Sequence, residues 1–359
     1  MAITAVQELG SSALLACSLD VVCSCRSATS QLSEGGILLL IAEAHGHGGG
    51  GRRFPSANHK IAVVTGGNKG IGLEVCRQLA SNGITVVLTA RDEARGVAAI
   101  EKLRGLGLSD VTFHQLDVTD APSIACLAEF LKTRFGKLDI LVNNAAVCGL
   151  DYVHRVDATS IASEEMFRGM DMSQRLEWVL KLCRETCDAG KEALRTNYYG
   201  TKQVIEALLP LLRASSDGRI VNVSSEFGQL RVFHNEELKE ELSDIDKLTE
   251  ERLDEVVDTF ARDMEAGVAE ARGWPVSFSA YKVSKAALNA HSRILARRHP
   301  TLRVNCVHPG FVSTDMTMHS GMLTPQEGAR RVVAVTLLPA AAGGPTGAYF
   351  AERQEAPFV

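Results

Sequence analysis

The sequence predicts an α/β protein built on a doubly wound, mostly parallel sheet. Short apolar, β-branched runs alternate with amphipathic helical segments along the chain, as such a sheet requires. The first run, residues 60–65, passes through a glycine-rich turn directly into a helical pattern. The 359 residues are 45% hydrophobic, which is enough to bury one large core. We therefore expect a single domain over residues 58–359, preceded by an extension over residues 1–57.

The glycine-rich turn at residues 66–72 predicts a dinucleotide site. Gly66 permits a tight turn, Gly70 lets the backbone approach a pyrophosphate, and Gly72 lets the helix lie close to the strand. The free N–H groups at the start of the following helix favour phosphate binding. A generic loop is the alternative, and the position between a buried strand and a helix disfavours it. The predicted cofactor contacts in this turn are Gly66, Asn68, Lys69, Gly70, Ile71 and Gly72.

The end of the second strand predicts which dinucleotide binds. In this type of fold an acid there holds the ribose 2′-hydroxyl, whereas an arginine accommodates a 2′-phosphate. Here the strand at residues 84–90 is followed by Arg91, and Lys69 adds a second cation nearby. The pattern favours NADP(H) over NAD(H). In the alternative interpretation, Arg91 is only a solvated charge at a strand end.

Tyr281 and Lys285 lie four residues apart on one face of a predicted helix. A free tyrosine has a pKa of about 10, which is too high for a responsive proton donor at neutral pH. An adjacent ammonium stabilises the phenolate, so we expect Lys285 to lower the pKa of Tyr281 and make it a general acid/base. Such pairs are common on solvated helices, but the dinucleotide turn upstream favours chemistry here.

Several segments in one fixed order give the chain a resemblance to the short-chain dehydrogenase/reductase superfamily over residues 58–353. Ala146 replaces the last glycine of the family's Asn-Asn-Ala-Gly motif, which is the one departure. The segments that carry the resemblance are residues 65–72, 116–118, 143–146, 221–225, 281–285 and 309–314.

This resemblance implies a Rossmann-type sheet of about seven strands and a set of site residues. It implies that Ser225 and Tyr281 hydrogen-bond a substrate carbonyl, that Asn197 positions a water beside Lys285, and that Ser224 is structural. The catalytic residues implied are Asn197, Ser225, Tyr281 and Lys285. The cofactor contacts expected beyond the glycine turn are Arg91, Asp117, Val118, Asn143, Tyr281, Lys285, Pro309, Gly310, Val312 and Thr314.

Two helical inserts distinguish the chain, at residues 148–190 and 228–275. Ser225 and Tyr281 lie 56 positions apart, a long gap that resembles the monomeric carbonyl-reductase branch of the superfamily. In related enzymes such inserts border the substrate pocket, so both are candidates for specificity. The resemblance also implies a monomer, since a helix in the second insert would cover the surface through which oligomeric relatives pair.

Each insert carries an apolar stripe of helical period. In the second insert, Thr249 caps a helix whose many acids we expect to be solvated, although a partner-binding acidic face is an alternative. In the first insert, Cys183 and Cys187 lie on the stripe and are interpreted as core residues, so we expect no metal. The stripes are Met172, Leu176, Val179, Leu180, Cys183 and Cys187 in the first insert, and Leu253, Val256, Val257, Phe260, Met264 and Val268 in the second.

Composition limits the partners. A formal net charge of −5 argues against nucleic acid and against an anionic membrane surface. The nine cysteines lack framework spacing, so we expect reduced thiols. The apolar run at residues 37–42 is too short to span a bilayer.

The first 57 residues do not fit the domain pattern. They are rich in Ala and Ser and end in a segment of histidine and glycine that is typical of a flexible linker rather than a metal site. We expect an unstructured extension and a cytoplasmic protein. A plastid transit peptide is the alternative.

These patterns predict an enzyme that uses NADPH to reduce a ketone or aldehyde to an alcohol, or runs the reverse reaction. The resemblance leaves monoterpenoid ketones such as menthone, alkaloid ketones and general reactive carbonyls open as substrates. An enone C=C reductase on the same scaffold is one alternative, which the presence of Tyr281 disfavours. A non-catalytic NADPH-binding sensor or scaffold is the other.

Overall fold

The computed structural model describes residues 59–153, 165–339 and 344–359. Its strands are β1 Ile61–Val64, β2 Thr85–Ala90, β3 Val111–Gln115, β4 Ile140–Asn143, β5 Asp151–Tyr152, β6 Cys183–Arg184, β7 Arg219–Val223, β8 Arg303–His308, β9 Tyr349–Ala351 and β10 Gln354–Ala356. Eight of them form one sheet in the order β3-β2-β1-β4-β7-β8-β9-β10, and β5 pairs with β6 in a separate ribbon. Seven strands of the sheet are parallel and β10 is an antiparallel edge. The predicted fold class is therefore confirmed, with one added edge strand.

Helices cover both faces of this sheet. Their bounds are α1 Gly70–Ser81, α2 Glu93–Gly105, α3 Ala121–Phe135, α4 Met172–Leu182, α5 Cys187–Ala193, α6 Thr201–Arg213, α7 Glu236–Ser243, α8 Glu250–Glu265, α9 Ser279–Arg298 and α10 Pro325–Thr336. A π-helical segment, Leu194–Gly200, joins α5 to α6 without a break.

The alternation of side chains along β1 divides the core into two layers. Ala62 and Val64 pack towards α1, α2 and α10, whereas Ile61 and Val63 pack towards α3 and α6. All four are buried, as expected of a parallel strand covered on both faces. The chain leaves β1 towards β2 and β3, then returns to β4 on the other side. The strand order therefore reverses between β1 and β4, which is where ligands bind in open α/β sheets.

The second insert forms α7 and α8, which pack against α9. The predicted helix is confirmed, because Thr249 accepts a hydrogen bond from the Arg252 N–H at 3.1 Å and the stripe from Leu253 to Phe260 is buried. The helix ends at Glu265, so Val268 lies beyond it rather than on the stripe.

The prediction that the acids of this insert are solvated is wrong for two of them, Glu250 and Asp263. Glu250 accepts a hydrogen bond from Arg298 at 2.7 Å and is buried. Asp263, also buried, accepts one from the Trp274 indole N–H at 2.8 Å. Glu250 therefore fastens the insert to α9, whereas Asp263 fastens parts of the insert to one another, because a buried acid needs such partners.

The first insert contains α4 and the β5–β6 ribbon. Asp171 and Gln174 form a capping box at the start of α4. The predicted continuous stripe is wrong beyond Leu182, since Cys183 is extended in β6 and Cys187 begins a new helix. Leu180, predicted on the stripe, is exposed. Residues 154–164 of this insert lie outside the described residues.

The predicted extension, residues 1–57, also lies outside the described residues, so the domain boundary remains a prediction. Within the described parts of the chain, no helix is both long and apolar enough to cross a membrane. The same residues contain no group of three or more His, Cys, Asp or Glu side chains that could hold a metal ion.

Candidate active site

A cavity of about 660 Å³ opens at the carboxyl ends of the parallel strands. Its walls come from the glycine turn, the ends of β2, β3, β4 and β7, the start of α9, the loop after β8, and α4. It lies at the reversal of strand order between β1 and β4.

The glycine turn has the geometry that a pyrophosphate requires. Gly66 and Gly70 have φ values of +63° and +54°, in the left-handed region that favours glycine. At Gly72 a Cβ atom would lie 2.3 Å from the Gly66 carbonyl oxygen, so no larger residue fits. The residue before α1, Lys69, forms no side-chain cap, and the first turn contains no acid. The N–H groups at this helix end therefore suit an anionic ligand.

Two arginines line the wall beyond β2. Arg91 follows the strand as predicted, and Arg95 lies on the first turn of α2 beside the same cavity. Asp92 caps α2 by accepting a hydrogen bond from the Arg95 N–H at 2.9 Å. Among the described residues, no carboxylate lies within ion-pair distance of Arg91. Sequence reasoning missed Arg95, although its spacing of four residues from Arg91 across a strand–helix junction was a usable signal.

Lys69, the second predicted cation, is already paired. Its ammonium forms an ion pair with Asp315, which lies in the loop after β8. This hydrogen bond is the main reason that the pKa of the Asp315 carboxyl is below its usual value. A 2′-phosphate would therefore have to compete with Asp315 for Lys69, whereas Arg91 has no such competitor in the described structure.

Asp117 and Val118 line the cavity after β3, where an adenine contact was predicted. The Asp117 carboxylate accepts hydrogen bonds from the Thr119 N–H at 2.9 Å and the Thr119 hydroxyl at 2.8 Å. Burial raises the pKa of Asp117, but these bonds outweigh it, and the pKa is lower than usual. The side chain is thus held as a fixed, ionised acceptor.

Asn143 does not lie where the sequence places it. Its amide donates to the Asn222 side chain at 2.8 Å inside the core, and it is not among the described residues that line the cavity. The next residue, Asn144, lines the cavity and donates to the carbonyls of Thr65 and Gly66 at 3.0 and 3.1 Å. Asn144 therefore holds the glycine turn, a role that sequence reasoning missed because either asparagine fits the motif.

Tyr281, Ser225 and Lys285 meet at one wall of the cavity. Ser225 follows β7, and its hydroxyl accepts a hydrogen bond from the Phe227 N–H at 3.2 Å. The Lys285 ammonium, which is buried, donates to the Val223 carbonyl at 2.8 Å and lies 5.6 Å from the Tyr281 ring centroid. The neighbouring Ser224 is buried and donates to Asn289 at 2.7 Å. Its hydroxyl is bonded within the core, as a structural role predicts.

The predicted direction of the Tyr281 pKa shift is wrong for this structure. Burial raises the pKa of Tyr281 to about 12, and the nearby Ser225 hydroxyl only partly opposes it. Burial also lowers the pKa of Lys285 to about 8. Lys285 faces the ring rather than the hydroxyl, so its charge does not offset the desolvation of the phenolate. Tyr281 therefore holds its proton at neutral pH.

Asn197 lies in the π-helical segment. Its side chain is bonded to the loop after β4 on one side and to α9 on the other. Its side-chain oxygen accepts from the Val147 N–H at 2.9 Å, and its amide donates to the Val147 carbonyl at 2.9 Å and to the Ser284 hydroxyl at 3.1 Å. The side chain is thus engaged by protein groups on both sides. Ser284 directly precedes Lys285, so this network joins the cavity wall to the helix that carries the lysine.

The loop after β8 closes the cofactor side of the cavity. Gly310 has φ +94°, and a Cβ atom there would lie 2.4 Å from Leu323. All four predicted contacts of this loop line the cavity: Pro309, Gly310, Val312 and Thr314.

The remaining wall is mostly apolar and comes in large part from the first insert. Its apolar lining residues include Val147, Cys148, Met172, Leu176, Val179, Phe227 and Phe278. In contrast, none of the lining residues that the structure describes falls within 228–275. The expectation that the second insert borders the pocket is therefore wrong, because α8 packs against the side of α9 away from the cavity.

Comparisons with known proteins identify the family. Residues 60–236 match the model described as short chain dehydrogenase, and residues 266–339 match one described as Enoyl-(Acyl carrier protein) reductase. The chain is 47% identical over 302 residues to a (+)-neomenthol dehydrogenase of Arabidopsis thaliana, covering 83% of this chain and 98% of the relative. It is 37% identical over 309 residues to a carbonyl reductase [NADPH] 1 of Pongo abelii, covering 83% and 98% of the two chains.

The chain belongs to the short-chain dehydrogenase family. The solved structure of salutaridine reductase from Papaver somniferum is 46% identical and has a TM-score of 0.75, covering 81% of this chain and 99% of that one. A menthone neomenthol reductase from Mentha piperita is 44% identical with a TM-score of 0.69, covering 82% and 99%. The predicted family, fold and oxidoreductase class are confirmed, and the relatives agree with NADP(H) as the cofactor.

Proposed function

We propose that the protein is an NADPH-dependent carbonyl reductase that converts apolar ketones or aldehydes to alcohols and can run the reverse reaction. The observation that carries this proposal is the meeting of Tyr281, Ser225 and Lys285 at one wall, between a dinucleotide turn and an apolar pocket. Arg91 and Arg95 are the groups we expect to hold a 2′-phosphate, since guanidinium groups suit phosphate geometry.

When bound, NADPH supplies the hydride. Ser225 and Tyr281 would donate hydrogen bonds to the carbonyl oxygen, where negative charge develops in the transition state. Tyr281 would transfer its proton to that oxygen. Its raised pKa makes the phenol a weak acid, so this transfer depends on the developing alkoxide, which is a stronger base. Lys285 would add positive charge beside the ring of the phenolate left behind, which stabilises the phenolate without cancelling the cost of its burial, and Asn197 would assist in relaying a proton from solvent.

The substrate we propose is uncharged and apolar. The substrate side of the cavity is lined by aliphatic, aromatic and sulfur-containing side chains, among them Leu176, Val179 and Phe278. Relatives named for neomenthol, menthone and salutaridine support ketones of this kind. A monoterpenoid ketone such as menthone is the first candidate to assay.

We also propose that the protein is a monomer in the cytoplasm. Support for the monomer comes from α8, which buries its apolar stripe against α9 and leaves less of that helix to pair with a second copy. Localisation rests on composition alone, and a plastid location would follow if residues 1–57 are a transit peptide.

Tyr281→Phe tests the proposed function. We expect ketone reduction to fall by about 10²–10⁴-fold, the usual contribution of a positioned proton donor, while the Kd of NADPH stays nearly unchanged. NADPH oxidation should be followed over a panel of terpenoid ketones, alkaloid ketones and aldehydes. The control is Tyr152→Phe, which removes the hydroxyl of an exposed tyrosine in β5.

Two results would reject the proposal. NMR of the product should show an alcohol. If an enone substrate instead gives a saturated ketone, the enzyme reduces the C=C bond and the proposal is rejected. Tight NADPH binding with no turnover by the wild type across the panel would favour a non-catalytic sensor.

A further inference from the structure

We propose that Asp254 and Asp258 of the second insert position the π-helical segment Leu194–Gly200, and through it Asn197, for carbonyl reduction. The two carboxylates act from behind the active site, since neither lines the cavity as described. This inference rests on the proposed function and gives the second insert a role in the reaction despite its distance from the substrate.

The two residues after Asn197 are held directly by α8. The Tyr198 hydroxyl donates to Asp254 at 2.7 Å, and the Tyr199 hydroxyl donates to Asp258 at 2.6 Å. The Lys202 ammonium donates to the other oxygen of Asp254 at 2.6 Å. Asp254 thus joins the π-helical segment to the first turn of α6.

This segment needs support from its surroundings. A π-helix is rare because its wider hydrogen-bond register is less favourable than that of an α-helix. At Gly200 a Cβ atom would lie 2.7 Å from the Val118 carbonyl oxygen, so the segment also presses against the cofactor wall. Tyr198 is fully buried, and its hydroxyl would be left without a partner if Asp254 were removed.

The same helix also fixes the other half of the site. The buried stripe of α8 packs in one cluster with Val283, Ala286 and Ala287 of α9. Asn197 bonds to Ser284 on α9 and to Val147 on the cavity wall. Helix α8 therefore holds α9, which carries Tyr281 and Lys285, and the Asn197 segment in one fixed relation.

The double variant Asp254→Ala/Asp258→Ala tests this positioning role. We expect kcat for ketone reduction to fall by about tenfold or more, since small displacements of positioning groups cost up to about 10²-fold. The Kd of NADPH should stay within about twofold, and the apparent pKa in the pH profile of kcat should move as the proton relay is displaced. Hydrogen–deuterium exchange of peptides covering residues 194–200 should become faster.

The matched control is Asp263→Ala on the same helix. Asp263 is a buried acid with two side-chain partners, Trp274 and Arg272, neither of which belongs to the π-helical segment. This control should lower Tm yet leave kcat, the pH profile and exchange at residues 194–200 unchanged. Equal loss of kcat in both variants, or wild-type kcat in the double variant, would overturn the proposal.

Two further measurements keep the outcomes separate. If the double variant does not fold, Tyr198→Phe and Tyr199→Phe remove the donors one at a time with little loss of volume, and the same effects are expected at smaller size. If the wild type reduces no ketone, the proposed function fails. Exchange at residues 194–200 would still support or reject the contact between α8 and this segment.

Discussion

The two inserts of this domain carry the same sequence signal but occupy different sides of the active site. Helix α4 of the first insert turns Met172, Leu176 and Val179 towards the cavity. Helix α8 of the second insert buries its stripe against α9, on the side away from the cavity. An amphipathic stripe shows that a helix covers something apolar, but it does not distinguish a binding pocket from a neighbouring helix.

Both inserts are bonded to α9. In the second insert, Glu250 accepts a hydrogen bond from Arg298 at 2.7 Å. In the first, Glu185 accepts hydrogen bonds from the N–H groups of Ser279 and Ala280, at the start of α9, at 3.0 and 2.7 Å. Polar attachment therefore does not separate the two inserts, and the difference between them lies in what each apolar stripe covers.

Among the single substitutions that compare the two inserts, Phe260→Ala should give the largest change in free energy. Phe260 is fully buried and its ring packs edge-on against Trp274 at 5.2 Å. We expect the free energy of unfolding to fall by about 3–5 kcal/mol, as for other buried Phe→Ala changes. Urea unfolding measures this loss, and the KM for the ketone should be unchanged in the folded protein. A substantial change in KM would mean that the second insert shapes the pocket after all.

Leu176→Ala should show the reverse pattern on the first insert. Leu176 lines the apolar wall, so kcat/KM for an apolar ketone should fall about tenfold, or about 1.4 kcal/mol, with the Kd of NADPH unchanged. The matched control is Leu180→Ala, the same change one turn along α4 at an exposed position. Equal effects of the two variants on kcat/KM would show that this face of α4 does not contact substrate.

The doubly wound sheet and the order of the site motifs were predictable because both depend on local patterns. Buried strands are continuous apolar runs, and the turn at Gly66 and Gly70 needs φ values that favour glycine. The meeting of Ser225, Tyr281 and Lys285 also followed, since the carboxyl ends of parallel strands share one edge of the sheet.

What could not be predicted depends on burial and on contacts between distant residues. The sign of the Tyr281 pKa shift is set by desolvation, which spacing alone does not reveal. The choice between Asn143 and Asn144 depends on which side chain faces the core at the end of β4. The partner of Lys69 is Asp315, 246 positions away in the sequence. No local pattern carries that information.

Lowering the pH should reduce the free energy of unfolding through a histidine on the side of α9 that faces the second insert, and this is the smallest effect we predict. His291 of α9 is buried, and neither of its ring nitrogens has a hydrogen-bond partner among the described residues. Burial, followed by the charges of Lys202 and Arg298, lowers the pKa of His291 to about 3. The nearest acid is Glu250, 4.0 Å from Nε2 and already bonded to Arg298.

Because the unfolded chain takes up a proton near pH 6.5 and the folded chain does not, this residue makes stability fall as pH falls from about 6.5 towards about 3. Between pH 7 and 6 its contribution is on the order of 0.7 kcal/mol. Urea unfolding at the two pH values should show a smaller loss of unfolding free energy in His291→Leu than in the wild type, with the KM for the ketone unaffected in both.

His308 is the comparison on the cavity side of the molecule, where burial lowers the pKa of its imidazole to about 4. His308→Leu should also flatten the pH dependence of stability, but it should change the KM because His308 lines the cavity. An unchanged slope in His291→Leu would mean that this histidine finds a partner, such as a buried water, that lets it accept a proton in the folded state.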